Sequence, residues 1–280
     1  MTSQTRPQEP SPHERVARER EFHDALLASG QASIATKEWW ETPGGKVRFA
    51  RRIAMLKRAC VTGTTSSSRP RVLIIGCGDG QWVNEVAQFA DVTGIDISPE
   101  IVKNANQQLL QTTSARVEVG DVHCLRFADG FFDICFANSV LHHLELPIAL
   151  PEIQRVLRPG GKLVAGEPNR TNPQVRWMYR SGEHRPRYGL TPDEEAFTRP
   201  AIAKLLRRHF SSVTVSHFDF WHPLLGRTHE KSLRFQLALA IERIPLIKRL
   251  SGSLWIEATK NAAKDVSPRA RTGEELHLDI

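Results

Sequence analysis

A glycine-rich loop and an aspartate further along the chain form its most informative chemical pattern. The sequence Gly76-Cys77-Gly78-Asp79-Gly80 follows one short apolar run, and Asp96 ends a second apolar run. Glycine permits tight turns, and because it has no side chain a ligand can reach the main chain. A carboxylate at the end of the neighbouring strand can accept hydrogen bonds from both hydroxyls of a ribose. The pattern predicts a site for a ligand with an unphosphorylated ribose.

The spacing of the glycines separates two classes of cofactor. A dinucleotide site requires Gly-x-Gly-x-x-Gly around a pyrophosphate, but Gln81 stands where the third glycine would be. The observed Gly-x-Gly-x-Gly, made by Gly76, Gly78 and Gly80, resembles motif I of the class I S-adenosylmethionine-dependent methyltransferases. The electropositive start of the following helix suits the methionine carboxylate of that cofactor. The resemblance therefore implies S-adenosyl-L-methionine as the cofactor.

The resemblance extends over the central part of the chain, from Arg71 to Asn169. Residues 132–144 are similar to the fourth-strand signature of small-molecule methyltransferases, especially ubiquinone- and sterol-methylating enzymes of the methyltransferase domain 11 and 25 type. The Pro-Gly-Gly turn at 159–161 is also typical of this family. These similarities imply an α/β fold. We expect a seven-stranded Rossmann-like sheet with an N-terminal helical cap and a helical insertion before the last strand.

Four further residues are predicted to complete the cofactor site. Ile97 follows Asp96 directly, and Asp121 and Val122 follow the third strand, where the family approaches the adenine amino group. Asn138 follows the fourth strand. Ligands of open α/β sheets bind beyond the carboxyl ends of the strands, so we expect these residues to line one crevice.

Three residues after strands four and five are candidates for the chemistry of methyl transfer. His143 is the preferred general base and His142 the next, because a neutral imidazole accepts a proton near physiological pH. Glu167 is the third candidate, as a base or as a partner of an acceptor hydroxyl. Each has a structural alternative: a histidine can cap a helix, and a carboxylate can pair with an arginine. A base is required only for a hydroxyl or a protonated amine.

The acceptor is expected to be a small molecule, such as a hydroxyl- or amine-bearing natural product, sugar or lipid precursor. Aromatic residues and five arginines alternate after strand five, which predicts a grip on a carboxylate or phosphate. The arginines are Arg170, Arg176, Arg180, Arg185 and Arg187. The same mixture suits RNA, so an RNA methyltransferase is one alternative and a non-catalytic cofactor-binding subunit is another. No recognised RNA module accompanies the arginines, and nucleic acid is not the expected partner.

The chain of 280 residues, with a net charge of +7 and 40% hydrophobic residues, can form a substantial core. We expect a disordered tail at 1–12, a helical cap at 13–61, the S-adenosylmethionine-binding domain at 70–260 and a flexible tail at 261–280. The insertion at 220–252 mixes apolar and basic residues. It could contact an anionic membrane and a lipid-linked acceptor, or serve the core or a homodimer interface.

Three absences complete the sequence-based expectations. No apolar run is long enough to span a membrane and no leader is evident, so we expect a cytoplasmic protein, either a monomer or a homodimer. The four cysteines lack the paired spacing of a metal site. We therefore expect reduced thiols and no bound metal.

Overall fold

The computed structural model describes residues 12–28, 41–63, 69–110, 114–180, 185, 190–191, 194–219 and 232–262. The predicted tail at 1–12 lies outside these residues except for Pro12, which begins the first helix. The predicted tail at 261–280, except for its first two residues, and the first part of the insertion at 220–252 also lie outside them.

Seven strands and nine helices are assigned within the described residues. The strands are β1 Arg71–Ile75, β2 Asp91–Asp96, β3 Ala115–Val119, β4 Phe132–Asn138, β5 Leu157–Pro168, β6 Ser212–Phe218 and β7 Ser253–Thr259. The helices are α1 Pro12–Ala28, α2 Pro43–Gly63, α3 Gln81–Val86, α4 Pro99–Gln108, α5 Leu146–Val156, α6 Pro173–Arg180, α7 Arg199–Leu206, α8 Leu233–Ile241 and α9 Pro245–Lys248. A short 3₁₀ turn at Leu141–His143 follows β4.

The strands form one sheet in the order β3-β2-β1-β4-β5-β7-β6. The first five strands in this order run parallel to one another. Strand β7 runs antiparallel to both of its neighbours, β5 and β6. The order reverses between β1 and β4, and an open α/β sheet binds its ligand at such a switch point. The structure confirms the predicted seven-stranded α/β fold and places the ends of β1 and β4 side by side.

The burial of β1 on both faces of the sheet explains why its sequence is continuously apolar. Leu73 and Ile75 pack into the hydrophobic cluster on one face of the sheet, while Val72 and Ile74 pack into the cluster on the other. Alternate side chains of a strand point to opposite faces, so a strand covered by helices on both sides must be apolar throughout. The glycine loop therefore begins at the end of a fully buried strand.

Helix α2, predicted as part of the cap, packs against the sheet itself. Leu56, Ala59 and Cys60 are buried in the same cluster as the central strands. The ring of Phe49 lies 4.4 Å, between centroids, from that of Trp82 in α3. The second helix of the predicted cap is thus a layer of the α/β domain.

A buried aspartate joins α2 to the end of β6. Asp219 has a positive φ of 59° and its side chain is fully buried. It accepts a hydrogen bond of 3.1 Å from Arg48 Nε, forms an ion pair with Arg52, and lies 3.7 Å from Arg51 Nη1. Arg51 also forms a two-pronged pair with Glu242 of the predicted insertion. Burial of these charges is tolerable because each is paired.

Two sequence expectations concern membranes and thiols. None of the helices in the described ranges is long and apolar enough to cross a membrane. The four cysteines are free thiols: Cys60, Cys77 and Cys135 are buried, and Cys124 is exposed. Burial is the main cause that raises the pKa of each buried thiol.

Candidate functional site

The three glycines of the loop are needed for three different reasons. All have positive φ, at 67° for Gly76, 56° for Gly78 and 85° for Gly80. A Cβ on Gly76 would lie 2.5 Å from Val140 Cγ2, so side-chain packing excludes it. A Cβ on Gly78 would meet no atom of the described residues within 4 Å, so among those residues this glycine faces open space. Gly80 caps α3 in the left-handed conformation. Open space above a glycine is where a ligand can touch the main chain.

Asp96 lies beside this loop, as the sequence predicts. Its Oδ2 accepts a hydrogen bond of 3.2 Å from Gly78 N, and its Oδ1 accepts one of 3.2 Å from Ser98 N. Ile97, between Asp96 and Ser98, is half-buried. A carboxylate oxygen can accept more than one hydrogen bond, so these contacts fix the orientation of Asp96 and still allow it to bind ribose hydroxyls.

Asp121 is held by a histidine that the sequence analysis did not select. His123 Nε2 accepts a hydrogen bond from Glu145 N at 3.1 Å, so its proton must be on Nδ1. That Nδ1 lies 2.7 Å from Asp121 Oδ1, to which it donates. Val122, between them, is buried. His123 thus positions the acidic residue that follows β3, and an i, i+2 Asp-x-His pair is the only trace of this in the sequence.

Asn138 ends β4 with a buried polar atom that has no partner. Its Oδ1 makes no hydrogen bond within the described part of the chain. A Cβ on Gly166 of β5 would lie 2.9 Å from this oxygen, so glycine is required there. A buried carbonyl oxygen is costly without a donor, and a ligand with an N–H group at this position would supply one.

Glu167 holds the turn after β4. Its Oε1 accepts hydrogen bonds from Val140 N at 3.1 Å and from Leu141 N at 2.9 Å. Its Oε2 lies 2.6 Å from His142 Nδ1. The sequence analysis gave an arginine pair as the structural alternative for Glu167, and none of these contacts is with an arginine. The geometry makes Glu167 a residue that positions His142 and the turn that carries both histidines.

Two glutamates from distant segments complete what we call the histidine–glutamate cluster, which consists of Glu19, His142, His143, Glu167 and Glu194. Glu194 Oε2 lies 3.5 Å from His142 Nε2, and Glu194 Oε1 lies 3.3 Å from His143 Nδ1. Glu19 Oε2 of α1 lies 3.1 Å from His143 Nδ1. The sequence analysis missed both glutamates, since Glu19 and Glu194 lie far from the histidines in the chain.

Thr191 fixes the two added glutamates. Its hydroxyl donates to Glu19 Oε1 at 2.8 Å, and its main-chain N–H donates to Glu194 Oε1 at 2.5 Å. Only the fold shows that Thr191 and Glu194 lie beside the histidines that follow β4.

Burial and charge shift several pKa values in the cluster. Burial opposes the charged form of His142, but the charges of Glu167 and Glu194 and the bond to Glu167 outweigh it and raise the pKa to about 9. Burial also opposes ionisation of Glu194, yet the neighbouring His142 and His143 lower its pKa to about 2. Burial, followed by Glu194 and Glu167, raises the pKa of Tyr179. Near neutral pH, His142 is therefore an imidazolium beside an ionised Glu194.

The arginine-rich segment differs from its predicted role. Arg185 donates to the main-chain oxygens of Tyr179, Thr191 and Glu194, at 2.9, 2.8 and 2.6 Å from its Nη atoms. Its planar fork therefore ties the 191–194 turn to α6, which corrects the prediction that it grips an anionic acceptor. Arg170 pairs with Glu195 at 3.0 Å. Arg176 and Arg180 are exposed, and Arg187 lies outside the described residues.

Comparison with known proteins agrees with this geometry. Residues 73–165 match the family model described as "Methyltransferase domain". The chain is 33% identical over 128 residues to malonyl-(acyl-carrier protein) O-methyltransferase of Erwinia pyrifoliae, which covers 43% of this chain and 47% of that protein. It is 32% identical over 155 residues to ubiquinone biosynthesis O-methyltransferase of Xanthomonas oryzae pv. oryzae. That alignment covers 54% of this chain and 63% of the relative. The matches thus span less than two thirds of either relative.

A solved structure shares the fold. The S-adenosylmethionine-dependent methyltransferase of Thermotoga maritima superimposes with a TM-score of 0.60 at 16% identity, over 86% of this chain and 99% of that one. Gly78, Asp96 and Asn138, whose Oδ1 has no hydrogen-bond partner among the described residues, lie at the carboxyl ends of β1, β2 and β4, where open α/β sheets bind their ligands. The chain therefore carries a class I S-adenosylmethionine-dependent methyltransferase domain.

Proposed function

We propose that this protein transfers a methyl group from S-adenosylmethionine to a hydroxyl or amine of a small-molecule acceptor. The observation that carries the proposal is the histidine–glutamate cluster, which follows β4 and β5 at the same sheet edge as the glycine loop. A cluster of proton-accepting groups beside a cofactor site suits acceptors that must lose a proton. The ubiquinone relative, which is an O-methyltransferase by name, supports the choice of a small molecule.

The cofactor supplies an activated methyl group, so the chain mainly has to align the two reactants. Alignment of this kind can contribute about 7–11 kcal/mol to a barrier. In this proposal Asp96 holds the ribose and the main chain at Gly78 approaches the cofactor. Asp121, kept in place by His123, approaches the adenine, and Asn138 Oδ1 accepts a hydrogen bond from an N–H of the cofactor.

His143 is the base in this proposal. Its side chain is 18% exposed, whereas that of His142 is 4% exposed, so an acceptor reaches His143 more readily. Against the effect of burial, the charges of Glu167 and Glu194 raise the pKa of His142 to about 9, which favours its protonated form at neutral pH when no other cation balances them. His142 and Glu167 are therefore positioning residues, and Glu19 and Glu194 orient the imidazole of His143 through its Nδ1.

The charge of the cluster bears on the acceptor. Three carboxylates favour a neutral hydroxyl or a protonated amine next to His143 over an anionic group at the same place. An anionic group elsewhere on the acceptor could still meet the exposed Arg176 and Arg180 of α6. We therefore infer an acceptor whose reacting group is a hydroxyl or amine.

Incubation of the protein with methyl-labelled cofactor and an extract of its source cells tests this function. The extract is separated into a small-molecule fraction and an RNA fraction before the assay, and Asp96→Ala is the negative control. Label in small molecules supports the proposal, and label in RNA alone supports the RNA alternative. Cofactor binding without label in either fraction indicates a non-catalytic subunit.

The segment α8–α9 supports a proposal of peripheral membrane contact. Leu233 and Leu246 are 75% and 72% exposed, and the nearby Arg234, Arg243 and Lys248 are exposed cations. Exposed leucines flanked by cations suit the surface of an anionic bilayer. Sedimentation with vesicles that contain phosphatidylserine, but not with purely zwitterionic vesicles, is the expected result. The double variant Leu233→Ser/Leu246→Ser should remain in the supernatant.

A further inference from the structure

The two ring nitrogens of His142 lie at unequal distances from their carboxylate partners. On one side, Nδ1 lies 2.6 Å from Glu167 Oε2, a short charge-assisted hydrogen bond. On the other side, Nε2 lies 3.5 Å from Glu194 Oε2. A direct charge-assisted N–H···O bond would be about 2.7–2.9 Å long. The gap at Nε2 is too long for a good hydrogen bond.

Glu194 Oε2, the atom across this gap, is also unusual. The Glu194 side chain is fully buried, and this oxygen makes no hydrogen bond within the part of the chain that the structure describes. Its partner oxygen Oε1 accepts from Thr191 N, which fixes the carboxylate in place. A buried carboxylate oxygen without a well-placed donor is unfavourable, so a positive charge is needed beside it. A proton on His142 Nε2 or a metal ion between the two atoms can supply that charge.

One distance across the gap matches the separation of two ligands on a metal ion. A tetrahedral ion bound at about 2.0–2.2 Å separates its ligand atoms by about 3.3–3.5 Å. The separation of 3.5 Å between His142 Nε2 and Glu194 Oε2 matches that value. One ligand atom each from His142, His143 and Glu194 lies within 4.8 Å of the others.

Glu167 stands where a metal-binding histidine usually has its carboxylate. A ligating imidazole commonly donates its second N–H to a carboxylate, which fixes the ring and its tautomer. Here the Nδ1 of His142 is bound by Glu167, whose other oxygen is anchored by Val140 N and Leu141 N. His142 therefore presents an oriented Nε2 to the gap.

The charges around the gap also call for a cation. Glu19, Glu167 and Glu194 contribute three carboxylates, and Arg185, bound to the main chain of Glu194, contributes one guanidinium. With both imidazoles neutral, two negative charges remain. One divalent ion would neutralise them, and so would a proton on each imidazole.

We propose that His142 Nε2, His143 Nδ1 and Glu194 form a site for a divalent transition metal ion, with Glu167 supporting His142. Two imidazoles and a carboxylate are a ligand set that such ions prefer, and three protein ligands leave a coordination position open. The proposal reverses the sequence-based expectation of no metal, because the ligands come from two segments far apart in the chain. With the ion bound, His143 is a ligand and no longer the free base: its Nδ1 has lost its proton and no longer donates to Glu19. The open coordination position can take the acceptor oxygen and lower its pKa.

Metal binding can be measured without cofactor or acceptor, so the result does not depend on the proposed methyl transfer. The full-length, untagged protein is treated with a chelator, dialysed, and titrated with Zn²⁺ and Co²⁺ by calorimetry. Co²⁺ binding is also followed by visible absorption, which reports coordination by protein ligands. We expect one ion per chain.

Matched variants assign the ion to the cluster. Glu167→Gln keeps the three ligands but weakens the support of His142, so it should lower the affinity for Co²⁺ by about 10–100-fold. Glu194→Gln should lower it further and change the Co²⁺ spectrum. Glu195→Gln, which removes an exposed neighbour that pairs with Arg170, should bind like the parent. Circular dichroism of the metal-free variants checks that each is folded, and His143→Gln replaces Glu194→Gln if the latter does not fold.

Two results would overturn the proposal. One is that the parent binds neither Zn²⁺ nor Co²⁺. The other is that a folded Glu194→Gln or His143→Gln variant binds Co²⁺ with the affinity and spectrum of the parent. Either result would mean that protons alone neutralise the negative charge of the cluster.

Discussion

Glu167 Oε2 lies 2.6 Å from His142 Nδ1, and this contact links the end of β5 to the turn that follows β4. The other oxygen of Glu167 binds the main-chain N–H groups of Val140 and Leu141 in the same turn. One buried carboxylate therefore orients both His142 and the backbone that carries the two histidines.

The first prediction concerns this carboxylate. Glu167→Gln keeps the shape of the side chain but replaces charge-assisted hydrogen bonds with weaker neutral ones. We expect the free energy of unfolding to fall by about 1–3 kcal/mol, measured by chemical denaturation. The Michaelis constant for the acceptor should change less than the turnover number, because the residue orients other groups and does not bind the acceptor. An unchanged unfolding free energy would contradict the role given to this contact.

The second prediction concerns the ribose. Asp96→Ala removes the carboxylate that faces the glycine loop, and each lost charge-assisted hydrogen bond should weaken cofactor binding by about 1.5–3 kcal/mol. Calorimetry with S-adenosylmethionine measures the change. Asp91→Asn, at the opposite end of β2 and paired with Arg69 on the surface, is the matched control and should bind normally. Equal affinity in Asp96→Ala and the parent would remove Asp96 from the site.

The third prediction separates two glycines of the loop. Gly76→Ala forces a Cβ to within 2.5 Å of Val140 Cγ2, whereas Gly78→Ala places a Cβ in open space. Both carry the cost of about 1–2 kcal/mol for a left-handed alanine. Gly76→Ala should therefore lower thermal stability more than Gly78→Ala does. Gly78→Ala should lower cofactor affinity more than its small loss of stability explains, and parental cofactor affinity would show that the open space does not hold the cofactor.

The fourth prediction concerns the histidine pair. His143→Ala should lower turnover by about 10²-fold or more and leave cofactor affinity nearly unchanged. The measurement requires an acceptor found in the labelled-extract experiment. His209→Ala, after α7, is the control and should retain parental turnover. Parental turnover in His143→Ala would eliminate His143 as a group required for the chemistry.

The fifth prediction concerns Asp219, which pairs with arginines of α2. Asparagine is compatible with the positive φ at position 219. Asp219→Asn therefore keeps the backbone but leaves Arg52, which is almost fully buried, beside a neutral amide. Removal of one partner of a buried ion pair typically costs about 3–5 kcal/mol, so denaturation should show a loss of this order. Asp129→Asn breaks an exposed pair with Arg155 and should change stability by about 1 kcal/mol or less. Similar losses in the two variants would contradict the structural role of Asp219.

Local patterns were sufficient for the sheet and for part of the cofactor site. The apolar run at Val72 to Ile75 and the glycines that follow it are adjacent in sequence, so one short segment specifies a buried strand, a turn and a helix start. The predicted seven-stranded fold and the predicted cofactor class are confirmed. The role of each residue predicted to bind that cofactor remains a prediction: Gly76, Gly78, Gly80, Asp96, Ile97, Asp121, Val122 and Asn138.

Other features depended on contacts that no local pattern encodes. Arg185 belongs to a basic segment whose composition favours an anion site, yet its fork is bound by main-chain oxygens of a turn that only the fold brings near. Asp219 and the arginines of α2 are separated by most of the chain, and nothing in the sequence marks them as partners.

The sequence alone determined the strand that carries the glycine loop, the loop itself, the carboxylate at the end of β2 and the histidine pair, because each is a short segment whose residue types dictate local geometry. Only the tertiary structure decided which charges surround the histidines. Glu19 comes from α1, Glu167 from the end of β5 and Glu194 from the turn before α7. Parallel strands end at one edge of a sheet and collect distant segments there, and burial at that edge strengthens their electrostatic coupling.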